Sequence, residues 1–115
     1  MKRVYIAGSY SANNVITVLD NMRKGIRLST EVFINGFSPF CPWLDYQFQL
    51  MLREGETLKV EDYYRYSIDW LKVSDAVLVV DGWENSKGTK EEIKFAYQIG
   101  IPIFYSLKEL LDYNK

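Results

Sequence analysis

Residues 76–80 have the sequence Ala-Val-Leu-Val-Val, an unbroken apolar run. This run lacks the alternation of apolar and polar side chains that marks a strand with one face in water. It is typical of a strand buried on both faces, as in parallel sheets that helices cover on each side. A second run, Val-Tyr-Ile-Ala at residues 4–7, stops at Gly8-Ser9 and predicts another buried strand followed by a tight turn.

Segments with helical periodicity alternate with these strands. In residues 13–35 apolar side chains recur at helical spacing, and Asn35-Gly36 marks the helix end. Further strands are predicted at 37–41 and 101–105, and further helices in part of 42–53 and at 57–73, 89–99 and 106–113. The order β-α-β-α-α-β-α-β-α predicts a single α/β domain over residues 1–115. We expect a flavodoxin- or Rossmann-like parallel sheet of four to five strands with helices on both faces.

The chain contains no histidine and a single cysteine, Cys41. These counts exclude an internal disulfide, a zinc site of Cys and His ligands, and Ser-His-Asp or Cys-His catalysis. An enzyme built on this chain would work with carboxylates, hydroxyls or amines, and we expect neither a metal nor a cofactor. A formal net charge of −1 gives no basic excess for binding a nucleic-acid polymer. Three Trp, nine Tyr and six Phe favour a flat ligand or an aromatic interface.

No segment approaches the roughly 20 consecutive apolar residues of a membrane-spanning helix. The basic start Met1-Lys2-Arg3 is followed by an apolar run that ends at Gly8, which is too short for a signal-peptide core. We therefore expect a cytoplasmic protein with no membrane partner.

Ligands of open α/β sheets bind outside the carboxyl ends of the strands, where the strand order reverses. With the common order 2-1-3-4, the first and third strands meet at that point. Residues 8–11 follow the first strand and residues 81–88 the third. Both loops carry Gly and hydroxyl side chains and lead into helix N-termini, which favour anions. Neither matches the G-x-G-x-x-G or P-loop pattern, which argues against a dinucleotide or ATP site.

Glu92 lies in the first turn of the helix predicted at 89–99, and two interpretations of it are open. The segment Thr89-Lys90-Glu91-Glu92 fits a capping box, with Thr89 as N-cap and Glu92 as N3. On spacing alone this structural role is favoured. A helix N-terminus also stabilises an ionised carboxylate, which a nucleophile requires.

Hydroxyl and aromatic side chains near the same loops are further candidates for binding a ligand. Ser9, Ser86 and Thr89 can donate to phosphate or sugar oxygens, although turn and cap roles are commoner for such residues. Trp43 and Trp83 can stack on a base or cover a hydrophobic edge.

Acidic residues near the predicted site are few. Asp81 ends the third strand, and Asp45 is a weaker candidate. On the helix at 57–73, Ser67 lies on the apolar stripe, whereas Asp69 lies about 200° around the helix from it and is expected in solvent. Tyr10 belongs to the loop after the first strand.

Two segments form a recognisable pattern. One is Val4-Tyr5-Ile6-Ala7-Gly8-Ser9; the other runs from Ser74-Asp75-Ala76 to Asn85-Ser86-Lys87-Gly88-Thr89-x-x-Glu92-Ile93-x-x-Ala96. Over nearly its whole length the chain resembles the nucleoside 2-deoxyribosyltransferase superfamily. Within it, the chain is most similar to small uncharacterised, often phage-borne, members related to deoxynucleoside monophosphate N-glycosidases. The resemblance implies a flavodoxin-like sheet and a homodimer or larger homo-oligomer whose subunits complete each other's sites.

The resemblance also implies roles for single residues. The glutamate that matches Glu92 is the nucleophile that attacks C1′ of a ribosyl or deoxyribosyl group. The tyrosine that matches Tyr5 orients this glutamate. The positions around the sugar or its 5′ substituent correspond to Gly8, Ser9, Ser86 and Gly88.

Two departures from the family pattern matter, one for the leaving base and one for the 5′-phosphate. Ser67 stands where the family often has an aspartate that helps to protonate or bind the leaving base. Ser86, six residues before the nucleophile, is typical of monophosphate N-glycosidases, whereas transferases tend to have an acidic residue there. The arginine that monophosphate hydrolases often carry in the first loop is absent, since Tyr10-Ser11 follow Ser9.

We therefore predict an enzyme that cleaves or transfers at the N-glycosidic bond of a nucleoside, a deoxynucleoside or its 5′-monophosphate, through a glycosyl-enzyme intermediate. The predicted catalytic residues are Glu92, Tyr5, Asp69 and Ser67. One alternative is a non-catalytic nucleotide-binding or sensing module of the same fold. A weaker alternative is an interaction protein whose aromatic side chains form only an oligomer interface.

Overall fold

The computed structural model of the chain describes residues 2–114. Its sheet has four strands: β1 (Arg3–Ala7), β2 (Ser38–Phe40), β3 (Ala76–Val79) and β4 (Ile103–Phe104). The strand order is β2-β1-β3-β4, and every neighbouring pair is parallel. The predicted α/β fold, the parallel sheet and the 2-1-3-4 order are thus confirmed.

Five α-helices connect and flank the strands: α1 (Val15–Ile34), α2 (Tyr46–Leu50), α3 (Val60–Lys72), α4 (Lys87–Gln98) and α5 (Leu107–Tyr113). Short 3-10 helices precede α2 at Pro42–Asp45 and α4 at Trp83–Asn85. The helix predicted from residue 57 begins instead at Val60, because Asp62 Oδ2 accepts a hydrogen bond from the Lys59 N–H at 2.8 Å and fixes the first turn there.

Both faces of the sheet are buried, because successive side chains of a strand point to opposite faces. Val4 and Ile6 of β1 pack with Val32 of α1 and Leu110 of α5 on one face. Tyr5 and Ala7 pack with Leu71 of α3 and Ala96 of α4 on the other. The apolar runs of β1 and β3 therefore reflect helices on both sides, as predicted.

The carboxyl ends of β1, β2 and β3 are linked by direct contacts. Val80 N–H, just beyond β3, donates to the Ala7 carbonyl of β1 at 2.8 Å. The Ser9 hydroxyl donates to the Gly82 carbonyl at 3.4 Å, and the Trp43 indole N–H donates to the Ser9 carbonyl at 3.0 Å. These bonds hold the segments after the three strands together at one edge of the sheet.

Among residues 2–114, no helix has the length and apolar character that crossing a membrane requires.

Candidate active site

A cavity of about 640 Å³ opens at the carboxyl ends of β1, β2 and β3. Its walls come from the loop after β1, the 3-10 helix after β2, α2, α3 and the start of α4. The lining residues include Gly8, Ser9, Tyr10, Ser11, Trp43, Asp45, Tyr46, Gln49, Tyr63, Tyr64, Ser67, Asn85, Ser86, Lys87, Gly88, Thr89 and Glu92. The cavity lies at the switch point between β1 and β3 where the sequence predicts a site.

Tyr5 and Glu92 form a hydrogen-bonded pair beneath this cavity. Tyr5 is fully buried in the central strand, and its hydroxyl donates to Glu92 Oε2. Glu92 lies in the second turn of α4. Burial raises the pKa of the Glu92 carboxyl to about 7, although the hydrogen bond from Tyr5 acts in the opposite direction. Burial and the neighbouring Glu92 charge raise the pKa of Tyr5, so the phenol stays a donor.

Ser67 extends this pair toward α3. It is 7% exposed and lines the cavity. Its hydroxyl lies close enough to the Tyr5 phenol to lower the pKa of that phenol, against the larger effect of burial. The structure therefore brings together three of the four predicted catalytic residues.

Ser86 caps α4. Its Oγ accepts from the Thr89 N–H at 3.2 Å and from the Thr89 hydroxyl at 2.8 Å. The predicted capping box with Thr89 as N-cap and Glu92 as N3 is wrong, because α4 begins two residues earlier, at Lys87. Thr89 lines the cavity but is 1% exposed, and its hydroxyl donates to Ser86, so the donor role toward a ligand stays a prediction that requires this bond to break. Glu92 bonds to Tyr5 rather than to the backbone.

The N-terminus of α4 offers unused donors to the cavity. The N–H groups of Lys87 and Gly88 donate no hydrogen bond within residues 2–114. The Lys87 ammonium has no ion-pair partner in that same part of the chain. Free amides at a helix N-terminus attract anions, and a lysine beside them adds positive charge.

The loop after β1 forms the floor of the cavity. A Cβ added at Gly8 would lie 2.8 Å from Val80 Cβ and 3.0 Å from a Trp43 ring carbon, so Gly8 is required by packing. Ser9 is held by its bonds to Gly82 and Trp43. The Tyr10 hydroxyl donates to Asp45 Oδ1 at 3.0 Å.

Asp45 has a more central place in the site than the sequence predicts. It is 8% exposed at the end of the 3-10 helix after β2. Burial raises the pKa of its carboxyl, and the hydrogen bond from Tyr10 partly opposes this rise. The predicted order 2-1-3-4 already places the end of β2 beside that of β1, and this adjacency is the signal that could have identified Asp45.

Four other predicted site residues lie outside the cavity lining or are too buried to contact a ligand there. Trp43 is 1% exposed and packs in the core, so no ring face is free for the predicted stacking on a base. Trp83 packs against the α4 side of the sheet and beside the Tyr105 ring, outside the cavity lining. Asp81 is exposed outside the lining. Asp69, with a side chain 63% exposed, lies on the outer face of α3 near Lys72, which corrects its predicted catalytic role.

The cavity thus contains one buried carboxyl group, that of Asp45, and one half-buried carboxyl group, that of Glu92, each hydrogen-bonded to a tyrosine hydroxyl. Within residues 2–114, no group of three or more His, Cys, Asp or Glu side chains is placed to hold a metal ion. One carboxyl, Glu92, belongs to the helix that carries the free donors, and the other, Asp45, follows β2 on the far side of β1 from that helix. This arrangement can supply a carboxylate nucleophile and a separate proton donor.

The chain is similar in sequence to a known family and in fold to a solved structure. A crystal structure of a conserved protein from Enterococcus faecalis V583 matches with a TM-score of 0.67 and 18% sequence identity. The match covers 90% of this chain and 61% of that one, so this chain spans about three fifths of that protein's length. No curated protein matches the chain. The model of a domain of unknown function, DUF4406, matches residues 2–105, and the chain therefore belongs to the DUF4406 family.

Proposed function

We propose that this protein cleaves or transfers at the N-glycosidic bond of a nucleoside, a deoxynucleoside or its 5′-monophosphate, with Glu92 as the nucleophile. The observation that carries the proposal is the Tyr5–Glu92 pair, buried at the base of the cavity. Tyr5 holds one carboxylate oxygen and leaves the other free to attack. Tyr5 and Glu92 each belong to one of the two segments that carry the resemblance to nucleoside 2-deoxyribosyltransferases.

The reaction has two steps, as in retaining glycosidases. In the first, a Glu92 oxygen bonds to C1′ while the C1′–N bond breaks and its electron pair goes to the base. In the second, the oxygen of water, or a nitrogen of another base, bonds to C1′ and Glu92 is released as a carboxylate. A carboxylate nucleophile needs no imidazole base, which suits a chain without histidine.

The start of α4 is suited to a 5′-phosphate. Ser86, Lys87 and Gly88 line the cavity, the N–H groups of Lys87 and Gly88 are free, and Lys87 adds a positive charge. Lys87 supplies the positive charge that the first loop lacks, since Tyr10-Ser11 stand where related hydrolases often carry an arginine. A phosphate bound there places the sugar over the next turn of the helix, where Glu92 lies.

The test is base release, measured by liquid chromatography on a panel of ribo- and deoxyribonucleosides and their 5′-monophosphates. We expect cleavage of at least one deoxynucleoside 5′-monophosphate by the wild-type protein. The Glu92→Gln variant should lose this activity by about 10²-fold or more, because an amide is a poor nucleophile. Cleavage that survives Glu92→Gln, or no cleavage of any member of the panel, would contradict the proposal.

A second candidate function, nucleotide binding without turnover, is favoured by one observation. Ser67, which cannot supply an acid, occupies the wall of the cavity beside the Tyr5–Glu92 pair. Isothermal titration calorimetry separates the two functions. Tight binding of a nucleotide that is unchanged in Glu92→Gln, with no base released, would favour the binding module.

We also infer a homodimer or larger homo-oligomer. Large apolar side chains are exposed, among them Val60, which lines the cavity, at 82% and Met51, which follows α2, at 77%, and burying them would favour association. Sedimentation equilibrium with the Val60→Asp variant tests this inference: the wild type should sediment as an oligomer and the variant at a lower mass. A monomeric wild type would exclude it.

A further inference from the structure

The wall of the cavity opposite α4 holds a carboxyl group that the two steps above do not use. Asp45 Oδ1 accepts the hydrogen bond from Tyr10. Oδ2 accepts no hydrogen bond from residues 2–114. Among these residues, each fully buried side-chain N or O atom has a hydrogen-bond partner, so an atom without a partner is not fully buried. Oδ2 is therefore accessible, and the cavity is the space that Asp45 lines. One oxygen is fixed by a tyrosine and the other is presented to a ligand.

Asp45 and the start of α4 follow strands that lie on either side of β1. Neighbouring strands lie about 4.8 Å from each other, so the ends of β2 and β3, on either side of β1, are about 10 Å apart. Asp45 follows β2, and α4 follows β3. With a phosphate at α4 and C1′ at Glu92, the base extends toward the wall that Asp45 and Tyr10 form.

We propose that Asp45 is the general acid that protonates the leaving base. This proposal rests on the proposed function and assigns the group that Ser67 leaves missing. In the first step, the proton on Asp45 Oδ2 passes to the base as Glu92 bonds to C1′ and the C1′–N electron pair moves into the base. The base leaves neutral and Asp45 is left as a carboxylate. In the second step Asp45 takes a proton from the attacking water, which restores both carboxyl groups to their starting states.

Two observations favour Asp45 over the other acidic residues. It lines the cavity, whereas Asp69 and Asp81 are exposed outside it. Burial raises the pKa of its carboxyl, which extends the pH range in which a proton is available.

The test compares two substrates with each carboxyl variant. One is the deoxynucleoside 5′-monophosphate that the wild type cleaves best. The other is 4-nitrophenyl 2-deoxyriboside 5-phosphate, whose nitrophenolate leaves without being protonated. We expect Asp45→Asn to lose about 10²–10⁴-fold in kcat/KM on the nucleotide but less than tenfold on the nitrophenyl compound. Glu92→Gln should lose activity on both substrates, since each reaction needs the nucleophile.

The outcomes separate the two proposals. Equal losses of Asp45→Asn on the two substrates, or retained activity on the nucleotide, would overturn the role of Asp45 and leave Glu92 as nucleophile. A wild-type protein that cleaves neither substrate would overturn the proposed function itself. Asp20→Asn, an identical chemical change on the outer face of α1, is the matched control and should leave both activities unchanged. Cleavage of the nitrophenyl compound by Asp45→Asn also shows that this variant is folded.

Discussion

The Tyr5 hydroxyl donates a hydrogen bond to Glu92 Oε2, which joins the central strand β1 to the second turn of α4. Strand β1 is paired on both sides, and Tyr5 is fully buried. The phenol is therefore rigidly held, and it fixes the position of the carboxylate. Such support for a reactive group by buried secondary structure is what an active site requires.

The desolvated Glu92 carboxyl should lower the free energy of unfolding of the protein at neutral pH. The pKa is about 7 in the folded state against 4.5 when the group is unperturbed. The folded state thus holds the proton more tightly, so stability is lost as pH rises from about 4.5 through 7. We expect Glu92→Gln to gain up to about 3 kcal/mol over the wild type above pH 7, since a tenfold change in equilibrium is about 1.4 kcal/mol. Urea unfolding of both proteins at pH 4 and pH 8 measures this, and a difference that does not grow with pH would refute it.

The pH dependence of activity should reflect the same carboxyl group. Because Glu92 must be ionised to attack, kcat/KM on the nitrophenyl compound, which needs no general acid, should rise with pH through about 7. In Tyr5→Phe, the loss of the hydrogen bond that favours the ionised form should move this rise to higher pH and lower the rate. The measurement is kcat/KM from pH 5 to 9 for both proteins. A midpoint that does not move in Tyr5→Phe would mean that Tyr5 does not tune Glu92.

Much of the fold follows from periodicity and order alone. The apolar run at 76–80 corresponds to β3 (Ala76–Val79), and the helical spacing in 13–35 corresponds to α1 (Val15–Ile34). Both patterns are reliable because the spacing of apolar residues follows from which side chains are buried. The strand order was predictable because parallel α/β connections allow few arrangements.

The site was less predictable from the sequence, because its residues meet only through tertiary packing. The start of α4 depends on whether Ser86 or Thr89 offers the better cap, and the two are close in propensity. The burial of Trp43 depends on Gly25, which lies on a helix 18 positions earlier and leaves room for the ring. Asp45 gains its importance from Tyr10, a contact that spans 35 positions and that no local pattern encodes.

Gly25 should be intolerant of any side chain. A Cβ there would lie 2.3 Å from a Trp43 ring carbon, and Trp43 is 1% exposed and has no room to move. We expect Gly25→Ala to cost about 1–3 kcal/mol or more of unfolding free energy. Gly88→Ala is the matched control, because nothing lies within 4 Å of a Cβ at Gly88 in α4. It should be neutral or gain up to about 1 kcal/mol from lower backbone entropy in the unfolded chain. Equal melting temperatures of the two variants would refute the close contact.

Asp75 should stabilise the fold in acid. It accepts hydrogen bonds from the Lys2 and Arg3 N–H groups at 3.0 and 2.9 Å, and these bonds lower the pKa of its carboxyl to about 2. The folded pKa lies below the unfolded value of 3.8, so the contribution is complete above about pH 4 and is lost as pH falls through 2. Asp75→Asn should therefore be less stable than the wild type at pH 6, with the difference shrinking toward pH 2. Thermal unfolding across this range is the measurement, and a constant difference would contradict it.

Covalent capture of the sugar tests the role of Glu92 most directly. The protein is mixed with the deoxynucleoside 5′-monophosphate it cleaves, quenched in acid within milliseconds, digested and analysed by mass spectrometry. We expect a deoxyribosyl phosphate adduct on the peptide that carries Glu92 in the wild type and none in Glu92→Gln. In Asp45→Asn with the nitrophenyl substrate the adduct should reach a higher level, because the loss of Asp45 slows the attack of water. Base release with no adduct at Glu92, or with the adduct on another residue, would contradict Glu92 as the nucleophile.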